Sequence, residues 1–165
     1  MSMKIIAPIA AGVLLAMAGA AQAATKSTTF QVSATVAKNC IINAAPLSFL
    51  GFDGSVDVTA ASTITVRCTN GTAYDVNLST GLSNDFQTRR MFNGTAYLEY
   101  NLYVNGTNTI WGDLSNGTGR PATGTGAGLG TTQTLTVDGR LPVTANNAAA
   151  DALTFTDVIT ATIVY

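Results

Sequence analysis

From Phe30 to the last residue, apolar side chains recur at every second position, the spacing of half-buried β-strands. Phe30, Val32, Ala34 and Val36 alternate with Gln31, Ser33 and Thr35, and the parity runs on to Cys40 and Ile42. Ile64, Val66 and Cys68 alternate with Thr65 and Arg67, which places both cysteines on inward faces. Tyr74, Val76 and Leu78 follow, then Leu98, Tyr100, Leu102 and Val104 with Glu99, Asn101 and Tyr103 on the outer side. Leu135, Val137 and Leu141 precede Pro142, and Phe155, Ile159, Ala161, Ile163 and Tyr165 share one parity, so the last strand is expected to include Tyr165. No stretch has helical periodicity. Asn70-Gly71, Asn93-Gly94, Asn105-Gly106 and Asn116-Gly117 mark tight turns that need positive φ. The segment GTGRPATGTGAGLG over 117–130, rich in Gly and Thr and broken by Pro121, predicts a mobile surface loop. Strands with one apolar face each must pack face to face, so the pattern predicts an all-β sandwich.

The start of the chain reads differently. Met1-Ser2-Met3-Lys4, an apolar run from Ile5 to Ala18 and Gly19-Ala20-Ala21-Gln22-Ala23 have the order of a secretory signal peptide over 1–23, cut after Ala23 or Ala24. The run is too short for a membrane anchor, so no membrane insertion is expected. Losing Lys4 leaves seven basic against nine acidic residues, a net charge of −2, which speaks against nucleic acid as a partner. In an exported chain the only two cysteines, Cys40 and Cys68, are expected to form a disulfide, two free buried thiols being the alternative.

Chemistry has little to work with. There is no histidine, which removes the usual Ser-His-Asp and Cys-His arrangements, and two isolated thiolates do not complete a zinc shell. Asp85, Glu99 and Asp113 could in principle pair as acids across a cleft, but carboxylates spaced along strands and turns are normally just solvated. At most one of the adjacent Arg89 and Arg90 can join any one site, because neighbouring strand residues face opposite ways. Trp111 could stack on a sugar ring or could be core. The expectation is a protein without enzymatic activity, metal or cofactor.

The ends carry a mechanism instead. Before Cys40 lies a free alternating segment, 24–37, and the strands counted after it are too few for a closed sandwich. An open groove exposes unpaired backbone and apolar side chains that something must cover. A strand from another chain can do so, its main chain giving hydrogen bonds and its alternate side chains filling pockets. Phe30, Val32, Ala34 and Val36 are the inserted set, which makes the 38–165 body an incomplete immunoglobulin-like β-sandwich completed by donor-strand exchange. Repeated head to tail, that contact is heterologous and builds an open fibre.

The run Leu98-Glu99-Tyr100-Asn101-Leu102-Tyr103 followed by Trp111-Gly112-Asp113 resembles the Y-N-L-Y…W-G-D hallmark of spore coat protein U domain proteins. Ile64 to Cys68 and Phe155 to Tyr165 extend the resemblance across the chain behind the leader. It implies an archaic chaperone/usher pilus subunit, passed from a periplasmic chaperone to an outer-membrane usher and then to neighbouring copies or related pilus subunits at the cell surface, serving adhesion and biofilm formation. It further implies that Ile159, Ala161, Ile163 and the Tyr165 carboxylate meet the chaperone. The rivals are a secreted coat protein and a stand-alone carbohydrate-binding sandwich using Trp111. The small Ala161 and the long Gly-rich segment depart from the usual pattern.

Overall fold

Each alternating run can bury its apolar face only by pairing sideways and packing against a second sheet. The computed structural model describes residues 23–115 and 117–165. The expected leader therefore lies, apart from Ala23, outside the described residues, as does Asn116 of the fourth Asn-Gly pair. The chain divides between Thr35 and Val36 into two units. In the first, residues 23–35 hold no strand or helix, and Phe30 and Val32 are 85% and 82% exposed.

The second unit is an immunoglobulin-like β-sandwich. Its strands are β1 (Cys40–Ala44), β2 (Val58–Cys68), β3 (Ala73–Leu78), β4 (Arg89–Phe92), β5 (Tyr97–Val104), β6 (Ala122–Thr125), β7 (Gln133–Leu141) and β8 (Ala161–Val164), with a short α-helix, α1 (Ala145–Ala148), and a single 3-10 turn at Gly81–Ser83 among the described residues. One sheet runs β1-β2-β7-β5-β4 and the other β6-β3-β8, every neighbouring pair antiparallel. Ile64, Val66, Val76, Leu78, Leu102, Val137 and Leu141 meet in the core between them, on the predicted faces. Cys40 and Cys68 stand opposite each other in the β1–β2 ladder and are disulfide-bonded, their Cα atoms 4.1 Å apart. Gly71, Gly94 and Gly106 have positive φ, as their turns demand.

Four expectations need correction. The 117–130 segment is not simply a loop: it contains β6, and Ala122 is buried. Backbone closeness replaces side-chain patterning there. A Cβ on Gly124 would strike the Tyr74 ring, and one on Gly126 would stand 2.7 Å from the Cys68 Cβ, so glycine is what allows the segment to lie on its neighbours. Asn101, expected on the outer face of β5, is buried, its amide donating to the Phe86 and Gln87 carbonyls of the residues between β3 and β4. Trp111 is fully buried and donates from Nε1 to the Val76 carbonyl at 2.7 Å, so it is core and offers no ring face to a sugar. Tyr165 lies outside β8, which ends at Val164. The residues before β8 are extended but unpaired except for a bridge from Thr156 to Phe92, and Phe155, Ile159, Ala161 and Ile163 are half-buried with the predicted parity.

Candidate functional site: an open groove between the sheets

Five strands on one side face three on the other, and both β1 and β8 end their sheets with a free edge. A groove of about 990 Å³ opens where the smaller sheet stops. Its floor is the inner face of the larger sheet, with Ile64 of β2, Leu98, Tyr100 and Leu102 of β5, and Val137 and Leu141 of β7. Leu78 of β3, and Ile159 and Ala161 at the start of β8, form one side. Leu47, Phe49 and Phe52 come from the connection between β1 and β2. Gly139 leaves room for Leu47 and Phe49 against β7, and the Phe49 ring meets Tyr100 edge-on at 6.0 Å. That connection was missed in reading the chain, because the parity of Cys40 and Ile42 breaks at Pro46 before Leu47 and Phe49.

The polar groups of the groove are few. Asp53, Asp151 and Asp157 line it, with no lysine or arginine among the lining residues. Asp157 accepts from the Tyr100 hydroxyl at 2.6 Å and from the backbone N–H groups of Leu82 and Val158 at 3.0 and 2.7 Å. Burial, and then this hydrogen bond to a carboxylate, raises the Tyr100 pKa well above the ordinary tyrosine value, so the phenol is a fixed donor at neutral pH. The Ser55 hydroxyl and N–H hold the Asp53 carboxyl below its usual range.

Where β4 begins, opposite Tyr100 in the β4–β5 ladder, β5 carries a buried polar knot. Arg89, 0% exposed, donates from Nη1 to Asn101 Oδ1 at 2.7 Å, from Nε and Nη2 to the Ser79 carbonyl, and from Nη2 to the Trp111 carbonyl at 2.6 Å. Asn101 Nδ2 donates to the carbonyls of Phe86 and Gln87 at 2.8 and 2.9 Å. Burial lowers the Arg89 pKa, and its direct partners are neutral oxygens, so the guanidinium serves the interior and no external ligand. Arg90 faces the opposite way, stacked over Tyr97 with its Nη2 3.6 Å from Glu99.

The other acids do not converge. Asp85 accepts from the Gln87 N–H and Asp113 from the Ser115 N–H, each within its own turn. Among the described residues no group of three or more His, Cys, Asp or Glu side chains could hold a metal, and no helix is long and apolar enough to cross a membrane. The arrangement can hold an extended apolar segment.

Among curated proteins no sequence matches the chain. A solved structure that resembles it is the CsuC-CsuE chaperone-tip adhesion subunit pre-assembly complex from archaic chaperone-usher Csu pili of Acinetobacter baumannii, with 26% identity and a TM-score of 0.57. The alignment covers 79% of this chain and 40% of the solved chain, so the present chain corresponds to less than half the length of that relative. The family model for the Spore Coat Protein U domain matches residues 26–162, which take in the alternating arm, the disulfide and the Tyr100-to-Asp113 hallmark. The chain therefore belongs to the Spore Coat Protein U domain family.

Proposed function

We propose that this chain is a structural subunit of a surface pilus, exported through the periplasm and assembled by the chaperone/usher route. The observation that carries the reading is the groove: apolar core side chains line it, and it lies beside two sheet edges whose backbone groups have no strand neighbour. Such a groove needs an occupant, because open edges invite uncontrolled pairing. The match to a chaperone-bound pilus subunit supports the same reading.

In the proposed cycle a chaperone strand first lies along Ile159, Ala161, Ile163 and Tyr165. An usher then exchanges it for the 24–37 arm of a neighbouring subunit, with Phe30, Val32, Ala34 and Val36 entering the groove. Burying that set contributes on the order of 5 to 10 kcal/mol as an upper bound. The disulfide ties the edge strand β1 to β2, so strands can be swapped without fraying that edge. The fibre serves attachment and biofilm formation; family and fold are those of structural subunits and not of enzymes.

Deleting residues 26–36 tests it. The shortened subunit should still be recovered bound to the chaperone, and its fibres should be absent from the cell surface. Fibres of normal length from that deletion would remove the arm from the mechanism.

A further inference from the structure

The groove has a sign as well as a shape. It is lined by Asp53, Asp151 and Asp157 with no base. These acids belong to the end where the chain enters β8: Asp157 precedes the strand, Asp151 lies on the connection leading to it, and Gly54, next to Asp53, stands against Ala148. The arm, residues 24–37, carries Lys26, Lys38 follows it directly, and no acid occurs between 24 and 39.

Resting on the pilus reading above, we propose that the groove takes the arm of a second copy of this same chain, antiparallel to the free edge of β8, with Val36 beside Ile159, Ala34 beside Ala161, Val32 beside Ile163 and Phe30 beside Tyr165. Residues directly opposite in a ladder share a face, so this register turns the arm's apolar set to the side that Ile159, Ala161 and Ile163 already present. It brings Lys38 level with Asp157, at the acidic end. A slip of one residue turns the apolar set outward. A slip of two brings Lys38 level with Phe155 or Ile159, setting a charge against an apolar wall. A parallel arm with Phe30 beside Ile159 takes Lys38 past Tyr165, away from Asp53, Asp151 and Asp157, and sets Lys26 level with the apolar Phe155. Opposite charges at the rim of an interface set register and association rate more than total affinity, which is the part this lysine plays. The chain is thereby fitted to follow itself in the fibre.

Ala34→Cys combined with Ala161→Cys, in the full exported chain, reads the register directly. Fibres should run without reductant as a ladder of covalent multimers, while Val32→Cys or Val36→Cys with Ala161→Cys should give little cross-linking. A stronger ladder from either control, or an Ala34–Ala161 bond closed within one monomer, overturns the proposal while fibres of the unsubstituted chain keep the pilus reading intact. Failure of the unsubstituted chain to form fibres overturns the reading beneath it. Lys38→Glu, at an exposed position, covers the case in which the added thiols disturb folding. At low salt it should slow assembly roughly fivefold, with the difference vanishing near about 1 M salt. An unchanged rate at low salt counts against the charge pairing.

Discussion

Strand β5 borders two regions, and they are treated in opposite ways. In one, where β4 begins, Asn101 sits in a closed interior where Arg89 and Asn101 use all their side-chain nitrogens and oxygens. In the other, Leu98, Tyr100 and Leu102 look into a groove of about 990 Å³. A sandwich lacking a strand is inclined to collapse inward, because closing the gap buries the same side chains that an incoming strand would bury. The knot beside Tyr100 opposes this. It ties β4, β5, the residues after β3 and the Trp111 loop into one arrangement with directional bonds, and a shift of β5 toward the gap would strand a buried guanidinium. The closed region is what lets the open one stay open.

The strongest way to break this contrast is at Asn101. Asn101→Leu removes the acceptor of Arg89 Nη1 and of the Leu102 N–H, and leaves the Phe86 and Gln87 carbonyls without their donor. The expected cost is about 3 to 5 kcal/mol. Denaturant unfolding followed by the fluorescence of Trp111, the chain's single tryptophan, measures it. A loss under about 1 kcal/mol would show that the knot is incidental. A smaller effect, about 2 kcal/mol, is expected from Gly126→Ala, whose Cβ would run into the Thr69 carbonyl and the Cys68 Cβ. Because Gly126 lies beside the disulfide and away from the groove, fibre assembly by the folded fraction should not change.

These two residues also show where the chain could and could not be read in advance. Alternation located β2, β5 and β7 and their inward faces, since a strand with one wet side writes its period into the sequence. It was silent about β6, whose position rests on missing side chains at Gly124 and Gly126 and on backbone pairing with β3. It misplaced Asn101 because polarity was taken for exposure, whereas this side chain is buried with its oxygen and nitrogen both paired. The Y-N-L-Y…W-G-D hallmark was visible as a pattern, but its physical meaning was not: Asn101 and Trp111 belong to the interior knot, and Tyr100, which precedes them, turns to the groove. The alternation of Phe30, Val32 and Ala34 has the same period, yet residues 23–35 form no strand. The acids of the groove were not legible, because Asp53, Asp151 and Asp157 come together only through the fold.

Tyr100 joins the two regions, and its effect should be the smallest and the most pH-specific. Its hydroxyl donates to Asp157, fixing the residue that leads into β8 against the floor of the groove. Tyr100→Phe keeps the ring and loses the bond, for about 1 kcal/mol at neutral pH. The folded-state pKa is raised by burial and by the carboxylate, so below about pH 10 both folded and unfolded chains hold the proton and the group adds no pH dependence. Above that the unfolded chain releases its proton while the folded one keeps it, so stability falls as pH rises further. The phenylalanine variant should therefore start slightly less stable and lose less between neutral and strongly alkaline pH. Tyr74, whose pKa burial also raises, remains in both proteins and leaves a residual slope. Two unfolding curves declining in parallel would mean that the Tyr100 hydroxyl is solvated, and the groove floor would then be wetter and less fixed than an acceptor for an apolar strand requires.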